Sequence, residues 1–304
     1  MMRILIVLCF AILFAAILYP LFRQEAPPEP GAPPDAGDDG QSNVINPNDL
    51  REQGEVKSLL VGLTILFVAM SFLLSVTMGA AAVIVIGSMF WLKVRQGQLL
   101  GQAVKIGPQQ LPEVYDVALT AARRIGQALP DLFVMQNPTI NAFAMGAMGR
   151  KTIVLHSATV EAMQPEELCY VIGHELTHIK CGHTQWMVLT SLSDTLRLPL
   201  VSTIVAYLLR GWSRKAEYTA DRGGLLACQD LSVSFSAMAK LLIGKELYQQ
   251  LNIDTLMAQK NDVDTDIVAR LSENLSDHPY VMNRARSLQQ FSASDYYKDL
   301  CEVR

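Results

Sequence analysis

Residues 165–183 read PEELCYVIGHELTHIKCGH, and the fold of the C-terminal two thirds of the chain turns on this stretch. Gln164 and Pro165 open it, and Glu166 and Glu167 follow at the positive end of a helix dipole, so a helix is expected from there with Pro in its first turn. On that helix His174, Glu175 and His178 satisfy the pattern H-E-x-x-H. Positions i and i+4 lie above one another on one helix face, so both imidazoles can reach a single ion. Glu175 projects toward the same side, where its carboxylate can accept a proton from a water bound to that ion.

A zinc site of this type needs a third protein ligand and one open position. The metzincin spacing would place histidine six residues after His178 and glycine three after it; those positions hold Thr184 and Cys181. His183 lies ~140° around a continuing helix from His178, which makes it a solvated or capping residue. The better candidate is Glu217, in Glu217-Tyr218-Thr219-Ala220-Asp221. Its i, i+4 partner Asp221 shares its face, which suits one ligand and one residue that orients a ligand.

Working outward, residues 98–304 have the composition of a single domain of α+β class, mostly helical with a small sheet. Apolar spacing predicts a helix over Pro112–Leu129, stopped before Pro130. Three short strands are expected at Leu132–Met135, Ala142–Met145 and Thr152–His156, separated by turns at Asn137-Pro138 and Gly149-Arg150. After the H-E-x-x-H helix, a second helix should begin near Trp212. Further helices are expected over 233–249, 252–260 and 264–275, and from about Pro279.

Half of the 304 residues are apolar, and the excess lies in two runs near the N-terminus. Residues 4–19, ILIVLCFAILFAAILY, carry no charge and are long enough to cross a bilayer. With no small-residue cleavage site behind them, residues 1–22 read as an uncleaved transmembrane signal-anchor rather than a removed signal peptide. Residues 23–58, rich in Pro, Gly and Asp, read as a disordered linker. The run within 59–92 has no ionisable group before Lys93 and fits one tilted crossing better than a hairpin of two. Lysines and arginines on either side do not decide the orientation. The net charge of −4 gives no footprint for nucleic acid, and five unpaired-looking cysteines favour a reducing compartment.

The chain resembles the HtpX-like and CAAX-prenyl-protease-like membrane zinc metallopeptidases, a gluzincin family. The resemblance covers roughly residues 100–291 and rests on Asn141-Ala142-Phe143-Ala144, His174-Glu175-x-x-His178, Glu217-x-x-x-Asp221, and His278-Pro279 with Arg284. It implies one zinc ion on His174, His178 and Glu217, with Glu175 as general base. It further implies Asp221 orienting a ligand histidine, and His278 and Arg284 at the site wall. There His278 is the candidate oxyanion donor, and Arg284 is expected to pair with an active-site carboxylate such as Asp221. Substrate would lie along the Ala142–His156 hairpin, beside Asn141, Ala142 and Phe143. The integral relatives carry two transmembrane helices between their metal helices. Here Trp186–Trp212 is too short for two crossings, and a single one would put Glu217 across the membrane from His174. That segment is therefore expected to pack as a helical hairpin, in the core or against the bilayer surface.

The function expected is a membrane-anchored endopeptidase acting on misfolded or membrane proteins, with protein or peptide substrates and the lipid bilayer as partners. By resemblance the membrane is a bacterial inner membrane and the catalytic domain faces the cytoplasm. Two other classes fit part of the pattern: a proteolytically silent metal-containing scaffold or chaperone, and a zinc hydrolase of non-peptide substrates. Neither the physiological substrate nor the oligomeric state is written in the sequence.

Overall fold

The computed structural model of the chain describes residues 46–77, scattered positions between 87 and 98, and residues 101–146, 151–187, 199–252, 255 and 279–302. Four strands form one sheet: β1 (Val104–Ile106), β2 (Asp131–Met135), β3 (Ala142–Met145) and β4 (Thr152–His156). The helices are α1 (Pro47–Leu50), α2 (Glu55–Thr77), α3 (Pro112–Ile125), α4 (Ser157–Ala162), α5 (Pro165–Lys180), α6 (Pro199–Cys228), α7 (Leu231–Ile243), α8 (Lys245–Tyr248), α9 (Val281–Ser292) and α10 (Asp295–Glu302). The class is α+β and mostly helical.

The sheet order is β1-β2-β4-β3. β2 and β4 run parallel, with Asp131 opposite Thr152 and Met135 opposite His156. β1 and β3 close the two sides antiparallel. β4 is buried along its whole length, as a strand covered on both faces should be. β3 is an edge strand and lies against α5. The three expected strands stand where the sequence placed them. β1 was not expected, because three residues of which only Ile106 is buried carry no periodic signal.

Helix ends depart from expectation where a glycine intervenes. α3 stops at Ile125 rather than Leu129 because Gly126 takes φ 65°, and the N–H groups of Gly126 and Gln127 return to the Arg123 and Ala122 carbonyls. Gly244, at φ 86°, splits the helix expected over 233–249 into α7 and α8. The helices expected at 252–260 and 264–275 lie outside the described residues, save for single positions.

α6 is one continuous helix from Pro199, so its start precedes the expected Trp212. Leu209, Trp212 and Ala216 of α6 pack with Trp186 against Leu59 and Leu63 of α2. The described part of Trp186–Trp212 thus contributes to a packed core. Residues 46–58, read from sequence as linker, are structured. Arg222 of α6 donates to the Leu50 and Arg51 carbonyls at 3.2 Å and pairs with the Glu52 carboxylate, and Lys215 donates to the Gln53 carbonyl at 2.9 Å. Among the described residues no helix is long and apolar enough to cross a membrane. Residues 1–22 lie outside them, and the described side chains of α2 end at Phe72. Val61, Ile65, Val68 and Phe72 on α2 are exposed.

The central contact is α5 against α6. Small residues allow it: a Cβ on Gly223 would overlap the Thr177 hydroxyl, and one on Gly224 would lie 2.6 Å from Cε2 of the Tyr170 ring. This close approach brings the two polar helix faces into register.

Candidate metal centre

α5 is fixed at its start by a reciprocal cap, in which the Gln164 N–H donates to Glu167 Oε2 at 2.7 Å and the Gln164 side chain accepts from the Glu167 N–H. Glu167 is also paired with Lys240 Nζ at 2.6 Å and accepts from the Ser236 hydroxyl. Three turns on, His174 and His178 point their Nε2 atoms at one another, 3.1 Å apart. Glu217 of α6 completes the group: its Oε2 lies 3.7 Å from His174 Nε2 and its Oε1 3.7 Å from His178 Nε2. One ligand atom from each of the three lies within 4.8 Å of the other two.

The fit to a metal can be judged from this donor set. Tetrahedral bonds of ~2.0–2.2 Å put ligand atoms roughly 3.3–3.6 Å apart. The two Nε2 atoms are 3.1 Å apart, and a different Glu217 oxygen lies 3.7 Å from each. One atom from each residue falls within 4.8 Å, so small side-chain shifts would close the group on an ion. The electrostatics agree. Burial alone would lower the His174 pKa, but the Asp221 hydrogen bond and the Glu217 carboxylate raise it above the ordinary imidazole value. His178 is held well below that value by burial and then by the charge on His174. The two facing rings are therefore not both protonated.

Behind His174 stands a buried cluster centred on Asp221. Its Oδ1 accepts from Tyr170 Oη at 2.8 Å and lies 3.1 Å from His174 Nδ1. Arg284 of α9 forks onto it, Nε to Oδ2 at 2.8 Å and Nη2 to Oδ1 at 2.6 Å, while Arg284 Nη1 lies 3.2 Å from Glu217 Oε2. Burial would raise the Asp221 carboxyl, but the Arg284 charge and its hydrogen bonds, with those from His174, hold it below the ordinary value. Such a carboxylate accepts from His174 Nδ1–H and leaves the Nε2 lone pair facing Glu217.

Glu175 is buried beside the group. Burial raises its pKa, with the Glu217 carboxylate adding to the rise, against the opposing His174 charge and a hydrogen bond from the Ala144 backbone N–H. The edge strand β3 thus reaches the carboxylate that stands next to His174 and Glu217. Of the other residues picked out along this edge, Ala142 is buried in the core and Phe143 sits edge-on to His156 with ring centroids 5.9 Å apart. Asn141 is exposed, and its backbone is pinned to Thr159, N to Oγ1 at 2.7 Å. His278 lies outside the described residues.

His183 is not solvated: it is 1% exposed. The helical angle assumed that α5 continues, whereas it ends at Lys180 and Gly182 takes φ 74°. The chain turns back and sets His183 Nδ1 2.9 Å from His178 Nδ1. Tyr170 and Glu55 also belong to the site's surroundings and were not singled out from sequence. Tyr170 lies four residues before His174 on the same helix face, a signal that periodicity alone assigns to the core.

A family profile described as peptidase family M48 matches residues 108–292. The chain is similar to the plastoglobule-localized metallopeptidase 48, chloroplastic, of Arabidopsis thaliana, at 33% identity over 218 residues. The match takes in 66% of this chain and 63% of that curated relative's length.

Proposed function

The chain belongs to peptidase family M48, and from that premise we propose that it is a zinc-dependent endopeptidase whose metal is held by His174, His178 and Glu217. The observation that carries the reading is the convergence of those three ligand atoms within 4.8 Å beside the buried carboxyl of Glu175. A zinc ion held there would supply Lewis acidity toward a scissile carbonyl and bring a water's pKa from ~16 to near 7.

The protein's own groups do the rest. Glu175 takes the proton from the attacking water and returns it to the leaving amine, and burial, which raises its pKa, makes its carboxylate a better base than an exposed one. Asp221 and Tyr170 fix His174, and Arg284 locks Asp221 and Glu217 in place across α9. His278 is assigned the oxyanion hydrogen bond. An extended peptide is read as pairing along the open edge of β3, as strands add to a free sheet edge.

The chain is further read as anchored in a bilayer through residues 1–22 and 59–92, with the catalytic domain on the cytoplasmic side and misfolded or membrane proteins as substrates. The reading of the site is tested with a casein-like unfolded protein. Cleavage should cease with a chelator and return with added zinc. Turnover that persists in the chelator would contradict it. A cysteine placed at residue 40 should react with a membrane-impermeant label in intact cells, and the reverse topology would leave it protected.

A further inference from the structure

We propose that Glu55 and His183 are positioning residues of the metal centre: the carboxylate on the N-terminal helix α2, acting through His183, sets the ring and the tautomer of His178. The proposal rests on the metal site read above. Its ground is a chain of hydrogen bonds that, with the His183 ring neutral, runs in one direction only.

Glu55 Oε1 is 2.9 Å from His183 Nε2. An ionised carboxylate can only accept, so His183 Nε2 carries the hydrogen. In the neutral ring that leaves a lone pair on His183 Nδ1, which lies 2.9 Å from His178 Nδ1. His178 must then donate from Nδ1, and its remaining lone pair is on Nε2. That is the atom turned toward His174 and Glu217. The reverse tautomer of His178 would present an N–H to the ion and could not bind it.

The chain is closed at its far end. Glu55 Oε2 accepts from the Thr219 hydroxyl, whose oxygen accepts from the Glu52 N–H at 2.9 Å. Arg51 lies 3.8 Å from Glu55 Oε1 and donates to the Cys181 carbonyl at 2.9 Å. Glu55 and His183 are 2% and 1% exposed, and the edge of Trp212 covers His183 with ring centroids 5.9 Å apart. A buried carboxylate is held here by polar partners from three stretches of chain, which fixes its direction as well as its place.

Glu55 lies outside residues 108–292, the part that matches the family. The first turn of α2 therefore completes a metal centre whose ligands all come from the peptidase region. His174 has its orienting carboxylate in Asp221 on α6; His178 reaches an equivalent one only by way of His183 and α2.

The test uses the purified 304-residue chain. Zinc affinity is measured by chelator competition, the visible spectrum is recorded after cobalt substitution, and the metal-free melting temperature is followed alongside. Glu55→Ala should weaken zinc ~10–100-fold, the range for partners that orient a ligand histidine, and should shift the cobalt bands. Glu55→Gln keeps an acceptor for His183 and should stay within a few fold of wild type. It also serves as the readable variant should Glu55→Ala fold poorly. Leu63→Ala loosens the packing of the same helix without touching the chain of hydrogen bonds. It should lower the melting temperature and leave zinc affinity and the cobalt spectrum unchanged. Wild-type affinity and spectrum in Glu55→Ala would overturn the proposal, as would an equal loss of zinc in Leu63→Ala. A wild-type chain that binds no zinc would contradict the reading of the site itself, and the proposal with it.

Discussion

On one side of His174 and His178 the site is built from two helix faces; on the other it is built from three separate pieces of chain. The first side consists of His174, Glu175 and His178 on α5 with Glu217 and Asp221 on α6, and the helical repeat supplies every juxtaposition except the crossing of the two helices. The second side consists of His183 beyond a left-handed glycine, Thr219 on α6, and Glu55 from a segment 128 residues before His183. Local geometry can place groups to within a turn of a helix without help. A ligand's outer nitrogen faces whatever the tertiary fold brings to it, so its partner is found only by long-range packing.

Four substitutions sharpen that comparison, in descending order of their expected effect on zinc. Glu217→Ala removes the proposed third ligand from the helix-built side, and two histidines alone make a poor site. Its zinc affinity, read by chelator competition, should fall by more than the ~10–100-fold typical of outer partners. Gly223→Val attacks the crossing, because even a Cβ there overlaps the Thr177 hydroxyl. Overpacking of this kind costs about 1–3 kcal/mol, and forcing α5 from α6 should loosen zinc as well as lower the melting temperature. If zinc binds as in wild type while stability falls, the crossing does not set the ligand geometry.

Asp221→Asn keeps the size of the side chain but removes the charge that Arg284 and His174 share. A loss of zinc affinity of ~10–100-fold is expected, matching Glu55→Ala on the opposite side. A much larger loss for one than for the other would mean that the two ligand histidines are not held equivalently.

Glu167→Gln should leave zinc untouched and act on stability alone. Burial would raise the Glu167 carboxyl, yet Lys240, Ser236 and the Gln164 N–H hold it below its ordinary value of 4.5. A depressed carboxyl contributes stability that is complete above the unfolded-state pKa and is lost as pH falls through the lower folded one. The acid limb of wild-type stability, followed by denaturant midpoint from pH 7 to pH 3, should therefore be steeper than that of Glu167→Gln. Parallel limbs would show that Glu167 carries no such linkage.

How much of this was legible in the sequence follows the same division. His174, Glu175, His178, Glu217 and Asp221 could be paired by spacing, and the expected strands at Ala142–Met145 and Thr152–His156 stand in place, because periodicity reports faces. Arg284 was drawn in by resemblance, and the structure sets it on Asp221 and Glu217. His183 was misplaced by treating α5 as continuous. Gly182, just past Lys180, is a common helix stop and was the available warning. Glu55 had no local signal at all, since it follows a Pro- and Asp-rich tract and owes its order to contacts with α6 and His183.

The central claim is that Glu175 performs the proton transfer at a metal that others hold. The direct measurement is hydrolysis of an unfolded protein by Glu175→Gln, with zinc content determined on the same sample. Full zinc occupancy with a rate lowered about 10²–10⁴-fold is the predicted result; full occupancy with wild-type turnover would contradict the account.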